Sequence, residues 1–241
     1  GWGVLKKRLG EFERAELLFR RAISIDPEKE DLVSIKMNFG NLLIEMDRYK
    51  EARILIQDAV NLAMQCYGAA DQETNRARVL LGRIDMVEGN LQSAKQNFER
   101  AYTSIVNYYG QSHPMSLTIA GEYAACLLKL EDYELAKPIL LTSYTVSKKR
   151  FGLSSDITLT CANNLATFYY LMEDFIEAEP LLRMAVQTCR KRYPNGHPDL
   201  AVNIFNLANL FFSTDRKEEA QVCFREAYEM FKRYLGMQHA K

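Results

Sequence analysis

Residues 154–191 read SSDITLTCANNLATFYYLMEDFIEAEPLLRMAVQTCRK, and this stretch decides the fold. Its apolar residues recur at three- and four-residue steps on both sides of Glu173-Asp174, which is typical of two amphipathic helices. The acidic pair leaves only a few residues in which the chain can reverse. A helical hairpin of this kind has two apolar faces and cannot bury both alone. We therefore expect the hairpin to repeat along the chain and to stack on its neighbours.

An alanine that opens each second helix shows the repeat. This marker alanine occurs at Ala15, Ala52, Ala94, Ala136, Ala178 and Ala220. The first interval is 52 − 15 = 37 residues, and each later one, beginning with 94 − 52, is 42 residues. A large–small pair keeps the same register in the preceding helix, at Trp2-Gly3, Phe39-Gly40, Leu81-Gly82, Tyr123-Ala124, Leu165-Ala166 and Leu207-Ala208. Small residues at fixed places let two helix backbones approach closely, so the pattern predicts an all-α array of similar hairpins.

These pairs, the aromatic residue before each turn and the paired alanines of the second helix resemble the tetratricopeptide repeat. The 42-residue period, the His-Pro connections at His113-Pro114 and His197-Pro198, and the sequences Asn163–Ala166 and Glu177–Leu181 are similar to the long repeats of kinesin light chains. The resemblance implies a right-handed α-solenoid of about six helix-turn-helix repeats. We expect one array over 1–241, with repeats at about 1–27, 29–67, 71–109, 113–151, 155–193 and 197–235, and we expect it to be a piece of a longer protein.

Composition excludes several classes of function. The chain has 31 Lys+Arg and 31 Asp+Glu, so no net charge draws it to nucleic acid, and we expect no nucleic-acid partner. No apolar run approaches the length that spans a bilayer, so no membrane insertion is expected. The five cysteines form no CxxC motif and fall mostly on apolar helical positions, which favours free thiols in a reducing, cytoplasmic compartment.

No catalytic, metal or cofactor site is predicted. Zinc sites need Cys and His clustered at short spacings, and the isolated histidines at the repeat boundaries are interpreted as structural. The chain has no Gly-rich phosphate loop, HExxH pair, nucleophile elbow or kinase signature. We therefore predict that the chain is not an enzyme, and that it uses neither a cofactor nor a metal.

The tetratricopeptide resemblance implies a binding groove on the concave face, lined by the first helices. It assigns ten residues to a peptide-binding site: Asn41, Arg76, Arg83, Lys129, Asn163, Thr167, Tyr170, Phe205, Asn209 and Phe212. In the first repeat it assigns Val4, Lys7 and Arg8. Asparagine can donate to a peptide carbonyl and accept from its N–H, arginine pairs with carboxylates, and the aromatic rings offer a pocket for an apolar anchor.

These chemistries predict an interaction module or scaffold that binds an extended, acidic–aromatic peptide. The kinesin-light-chain resemblance implies the same ligand, since those grooves recognise short acidic motifs around an aromatic residue. Two alternatives stay open. The array could be a structural subunit that its partners bury permanently, or the substrate-docking arm of an enzyme whose catalytic domain lies elsewhere. Self-association through uncapped array ends is a further expectation.

Overall fold

The computed structural model describes the backbone of residues 2–239 and the side chains of residues 11–234. Within this range the chain forms eleven α-helices and no strand. The helices are α1 Trp2–Ser24, α2 Lys29–Glu45, α3 Tyr49–Tyr67, α4 Gln72–Val87, α5 Leu91–Tyr109, α6 Pro114–Lys129, α7 Tyr133–Phe151, α8 Asp156–Leu171, α9 Phe175–Arg192, α10 Pro198–Ser213 and α11 Lys217–His239. They form two compact units, residues 1–131 with α1 to α6 and residues 132–241 with α7 to α11. The predicted all-α repeat array is confirmed.

The first repeat differs from the others because it has no internal turn. The sequence predicts a reversal before Phe12, but α1 continues from Trp2 to Ser24 as one helix of 23 residues. An uninterrupted helix satisfies each backbone N–H and C=O locally, and α1 packs mainly on α2. Unit 1–131 therefore consists of one long helix, two helical hairpins and α6, and unit 132–241 consists of α7 and two helical hairpins.

Five of the six marker alanines lie in the core of their unit, whereas Ala15 is half-buried. Ala52, Ala94, Ala136 and Ala178 have no exposed surface, and Ala220 has almost none. In unit 132–241, Ala178 and Ala220 pack with the larger apolar side chains of α8, α9 and α10. The 42-residue period therefore marks the residues at which paired helices come closest.

Two glycines of the large–small pairs are required by this close packing. A Cβ on Gly40 would lie 2.6 Å from Cγ1 of Ile56, and one on Gly82 would lie 2.9 Å from the ring of Phe98. Those distances are shorter than van der Waals contact, so the buried side chains of Ile56 and Phe98 would have to shift. The later repeats accept alanine at this position, and Ala124, Ala166 and Ala208 are buried there.

The turn inside each hairpin uses a left-handed residue at one repeat position. Asp47, Gly89, Glu131, Glu173 and Asp215 have φ between 57° and 80° and are 42 residues apart. Only one of the five is glycine, although glycine adopts this conformation at least cost. The packing of the two helices therefore sets the turn, and four side chains tolerate the strain.

The connections between hairpins share a glycine and, in two cases, a buried hydroxyl. Gly68, Gly110 and Gly152 end their helices with φ between 77° and 87°, a region that L-residues rarely enter. Thr74 Oγ1 donates to the carbonyl oxygen of Gly68 at 2.8 Å, and Ser116 Oγ donates to that of Gly110 at 2.7 Å. At the equivalent position Thr158 is fully buried, but its hydroxyl has no hydrogen-bond partner.

Ion pairs join the second helix of one repeat to the next repeat. Arg48 donates to Glu16, and Arg216 donates to Glu179, with both glutamates one residue after a marker alanine. The residue at this position in α3 is a base instead, and Arg53 donates to the carboxylates of Asp85 (2.6 Å) and Glu88 (2.5 Å). At the junction between α3 and α4 the second helix therefore supplies the base and the next repeat supplies the acids, which is the reverse of the other two junctions.

Candidate peptide-binding grooves

The structure places the predicted site residues on the first helices of the hairpins. None of the ten is fully buried. They lie as follows: Asn41 on α2, Arg76 and Arg83 on α4, Lys129 at the end of α6, Asn163, Thr167 and Tyr170 on α8, and Phe205, Asn209 and Phe212 on α10. Each unit carries its own share of the site residues.

In unit 1–131 three of these residues share one cavity, which we call the α2–α4–α6 groove. Its volume is about 460 Å³, which is within the usual range for ligand sites. Its lining residues are Met37, Asn41, Arg76, Val79, Leu80, Arg83, His113, Pro114, Met115, Thr118 and Ile119. Most of these side chains are apolar, and the polar groups among them include two guanidinium groups and the Asn41 amide. The groove thus combines an apolar lining with hydrogen-bond donors.

Both arginines of the groove already contact a carboxylate. Arg83 donates from Nη2 and Nε to Oε1 of Glu122 on α6, at 2.6 and 3.1 Å. Arg76 donates from Nη1 to both carboxylate oxygens of Glu73, one turn earlier on α4. The guanidinium groups remain about half exposed, so each keeps donors that a ligand can reach. The positive charge of the two arginines in the groove is therefore partly neutralised by Glu73 and Glu122.

In unit 132–241 a second cavity brings together Thr167, Tyr170 and Asn209. It has a volume of about 250 Å³ between α8 and α10, and its other lining residues are Ala166, Leu171, Leu182 and Asn206. The Tyr170 hydroxyl lies 2.7 Å from Oγ of Ser213, and the Tyr170 ring packs against Phe175. The phenol is thus held by contacts on both sides, next to the amide of Asn209.

Asn163 lines a separate, smaller pocket of about 160 Å³ between the first turns of α8 and α10. Its amide nitrogen donates to Oδ1 of Asn203, whose own amide nitrogen donates to Cys189 Sγ at 3.2 Å. The side-chain oxygen Oδ1 of Asn163 is buried without a hydrogen-bond partner. An unpaired acceptor at this depth is unfavourable, so Asn163 retains an unused hydrogen-bonding capacity.

Three predicted residues line none of these cavities. Lys129 is exposed at the end of α6, and Phe205 packs edge-on against Phe224 on α11. Phe212 is 63% exposed, which is unusual for a phenylalanine. Val4, Lys7 and Arg8 lie outside the residues whose side chains are described.

Sequence reasoning missed several lining residues. Leu80, Met115 and Ile119 complete the apolar lining of the α2–α4–α6 groove, and Asn203 completes the Asn163 pocket. A helical wheel of α4 would have detected Leu80, since it lies four residues after Arg76 and three before Arg83, on the same face of the helix. Glu122 was also missed, because it occupies a position that is polar but uncharged in α8 and α10.

The histidines before proline have a structural role. His113 Nδ1 accepts a hydrogen bond from the Met115 N–H, and His197 Nδ1 accepts one from the Asp199 N–H, so each ring caps a helix. The rings stack on Tyr109 and Tyr193. Among the described residues, no group of three or more His, Cys, Asp or Glu side chains could hold a metal ion.

The cysteines are all free thiols, three of them buried and two half-buried. Burial raises the pKa of the Cys126, Cys161 and Cys189 thiols, which disfavours the reactive thiolate. They act as small apolar residues of the core.

Family profiles described as "Tetratricopeptide repeat" match residues 157–233 and residues 3–29. The matched stretches are tetratricopeptide repeats. The helical hairpins of the chain resemble those of kinesin-light-chain-like proteins among the solved structures. BtubC (BKLC) from P. vanneervenii superposes with a TM-score of 0.72 at 19% identity, covering 96% of this chain and 92% of that one.

Two further solved structures show the same tetratricopeptide fold. A point variant of a putative kinesin light chain from Podosopora anserina gives a TM-score of 0.74 at 18% identity, over 87% of this chain and 98% of that one. The protein YrrB, described as a tetratricopeptide protein with an unusual peptide-binding site, gives 0.50 at 18% identity, over 92% and 96%. No curated protein matches the sequence. Within the described residues, no helix is both long and apolar enough to cross a membrane.

Proposed function

We propose that this protein is an adaptor that binds an extended segment of a partner protein through the first helices of its repeats. The tetratricopeptide fold is that of a protein–protein interaction scaffold, and its arrays are generally non-catalytic. The observation that carries the proposal is the α2–α4–α6 groove, where an apolar lining lies beside two half-exposed guanidinium groups. Such a surface fits a peptide with one bulky apolar side chain and acidic neighbours.

Each part of the groove has a separate role in this proposal. Met37, Val79 and Leu80 surround the apolar anchor of the ligand, and burial of an aromatic side chain there supplies most of the affinity. Arg76 and Arg83 pair with the carboxylates on either side. The Asn41 amide holds the peptide backbone through its donor and its acceptor.

In unit 132–241 the same role falls to Asn163, Thr167, Tyr170, Phe205, Asn209 and Phe212. The unpaired side-chain oxygen Oδ1 of Asn163 supports a peptide N–H as its partner. The exposed rings of Phe205 and Phe212 support an apolar contact with a ligand. In unit 1–131, Lys129 at the end of α6 supplies one more exposed cation. The free thiols support a cytoplasmic location for the adaptor.

The test is a selection of random twelve-residue peptides on the immobilised protein, followed by fluorescence anisotropy with the enriched sequences. The proposal expects enrichment of an aromatic residue flanked by Asp or Glu. Arg76→Gln with Arg83→Gln should weaken binding about 10- to 100-fold, since a charge-assisted hydrogen bond contributes about 1.5–3 kcal/mol.

The matched control is Arg100→Gln, which removes an exposed charge from α5 outside the groove. Equal affinity of the control and the double variant would exclude the groove as the binding site. Enrichment of peptides without acids would exclude the proposed ligand class while leaving the groove itself in place.

The structural-subunit alternative is favoured by one observation, the exposed apolar side chains of Val202, Phe205 and Phe212 on α10. A permanently buried subunit would cover them with its partner. Light scattering after size-exclusion chromatography separates the two functions, because an adaptor stays monodisperse alone whereas an orphan subunit aggregates.

A further inference from the structure

Unit 132–241 carries basic side chains at the same repeat position on three successive second helices. They are Lys148, Lys149 and Arg150 on α7, Arg190, Lys191 and Arg192 on α9, and Lys232 and Arg233 on α11. The intervals 190 − 148 and 232 − 190 are both 42 residues, which is the repeat period. All eight side chains are exposed. We call this set the basic strip.

The three helix ends lie on the same side of the unit. Short turns make α8 antiparallel to α7 and α9, and α10 antiparallel to α9 and α11, so the second helices run in one direction. Contacts confirm the proximity of α9 and α11, because Arg190 Nη2 lies 2.7 Å from Glu226 on α11. Arg192 pairs with Asp156 at the start of α8. The strip therefore forms a continuous surface.

Five of the eight basic side chains of the strip have no acidic partner among the described side chains. Lys148, Lys149, Lys191, Lys232 and Arg233 form no ion pair there, whereas Arg190 and Arg192 do. Exposed positive charges at the same repeat position of neighbouring helices repel one another, which does not stabilise the fold. An external anion would relieve that repulsion.

The helix dipole does not explain the strip. Basic residues near a helix C-terminus are favourable, and α7 and α9 have three each in the last turn. The equivalent helices α3 and α5 have none there and are otherwise built alike. On α11 the pair Lys232-Arg233 precedes the end of the helix at His239 by more than a turn. Within unit 132–241 the charges therefore keep the repeat position even on α11, where the helix continues past it.

We propose that the basic strip is a second interaction surface, which binds an acidic segment of a partner protein. Its basis is charge complementarity with a run of Asp and Glu side chains. It shares no residue with the grooves of the first helices, so it does not depend on the function proposed for them.

A protein segment fits the strip better than a nucleic acid or a membrane does. Lys148, Arg150 and Arg192 each cover one face of a nearby ring, that of Tyr144, Phe151 or Tyr193, which leaves less ring surface for a base to stack on. Acidic side chains such as Asp156 and Glu226 interrupt the positive surface, and the chain has no net charge. Both features weaken the uniform attraction that nucleic acids and anionic lipids require.

The experiment measures the anisotropy of a fluorescein-labelled ten-residue polyglutamate peptide titrated with the full chain at 50 and 200 mM salt. The decisive variant is Lys149→Glu, Lys191→Glu, Lys232→Glu. Its matched control is Lys29→Glu, Lys50→Glu, Lys137→Glu, which makes the same change in net charge at exposed lysines elsewhere. The proposal expects at least a tenfold loss of affinity in the first variant, at most a twofold loss in the control, and weaker binding at the higher salt.

Three results would overturn the proposal. Equal losses in the two variants would assign the binding to net charge alone, and no binding by the native chain at 50 mM salt would remove the surface. The same titration is made with a twenty-nucleotide single-stranded RNA and with vesicles that contain one third phosphatidylserine. If either bound more tightly than the peptide, and the first variant lost that binding, the strip would belong to another class of partner. Circular dichroism of both variants shows that the fold is intact, and Lys149→Gln, Lys191→Gln, Lys232→Gln provides a milder variant with the same expected direction.

Discussion

Arg83 on α4 and Glu122 on α6 form an ion pair across the α2–α4–α6 groove. The Nε and Nη2 groups of Arg83 both donate to the oxygen Oε1 of Glu122. The other carboxylate oxygen of Glu122 and the Nη1 group of Arg83 are left for other partners. A carboxylate of a ligand that approaches Arg83 therefore meets the negative charge of Glu122 at the same time. The pair makes Glu122 an internal competitor of an acidic ligand.

Replacing Glu122 should strengthen the binding of acidic peptides. We expect Glu122→Gln to raise the affinity of an acidic–aromatic peptide about 3- to 10-fold, since removal of a nearby like charge at a half-exposed site contributes about 1 kcal/mol. The measurement is anisotropy with the peptides selected for the native protein. Glu99→Gln, an exposed acid on α5, is the control and should leave the affinity unchanged. A loss of affinity in Glu122→Gln would mean that Glu122 positions Arg83 for binding.

The sequence predicted which residues of each helix face the core, because burial of the marker alanines follows from period and residue size. It did not predict the partner of Arg83. Glu122 lies 39 residues away on another helix, and a pattern along one helix does not show which side chain of the next helix will reach it. The grooves were predicted by position on the first helices, whereas their division into separate cavities depends on packing between helices.

The continuous first helix also escaped sequence reasoning. Gly10 and Glu11 lie five and four residues before Ala15. The later hairpins turn at this distance before their own marker alanines. In those hairpins the turn forms because the helices on both sides of it pack together. The local sequence therefore permits a turn that only tertiary contacts impose.

Asp85 should be required for the stability of unit 1–131. Its carboxylate has no exposed surface and accepts from Arg53, Ser93 and Asn97, on α3 and α5. Asp85→Ala should lower the free energy of unfolding by about 3–5 kcal/mol, because it removes the buried partner of Arg53 and leaves the Ser93 and Asn97 donors without their acceptor. Urea denaturation measures the change. Glu88→Ala removes the more exposed partner of Arg53 and should cost below about 1 kcal/mol, and similar losses in both variants would contradict this account.

The two equivalent threonines Thr74 and Thr158 should respond in opposite ways to valine. Thr74→Val removes a hydrogen bond to Gly68 and leaves that carbonyl group with one partner fewer, so it should cost about 1–2 kcal/mol. Thr158→Val removes a buried hydroxyl without a partner and should be neutral or stabilising by up to about 1 kcal/mol. Both are measured by urea denaturation, and each serves as the control of the other. Equal costs would show that the Thr158 hydroxyl has a partner in solution.

Glycine at a left-handed turn position should stabilise the protein. Glu173 has φ of 58°, and Glu173→Gly should raise the free energy of unfolding by about 0.5–1 kcal/mol, because the strain of a side chain there exceeds the extra entropy of glycine in the unfolded chain. Thermal unfolding measures the shift. Glu229→Gly makes the same exchange at an exposed position within α11 and should cost about 1 kcal/mol. If both variants lost stability, the turn would not be strained.

Acid should weaken the junction between α1 and α3. The hydrogen bond from Arg48 holds the pKa of the Glu16 carboxyl below its usual value of 4.5, although burial opposes this. The unfolded chain therefore takes up the proton first, so the stabilisation is complete above about pH 5 and is lost as the pH falls through the lowered pKa. Urea denaturation between pH 6 and pH 3.5 should show a shallower decline in Arg48→Met than in the native protein. Parallel curves would mean that Glu16 is not a source of the pH dependence.

The reversed polarity of the ion pairs makes the repeats unequal as building blocks. Glu16 and Glu179 each meet an arginine of the following repeat, whereas Arg53, at the same repeat position, meets acids. If the hairpin of α2 and α3 were placed directly before that of α10 and α11, Arg53 would face Arg216 across the new junction. The charges therefore restrict the order in which these hairpins can follow one another, because an exchange that brings two arginines together loses an ion pair.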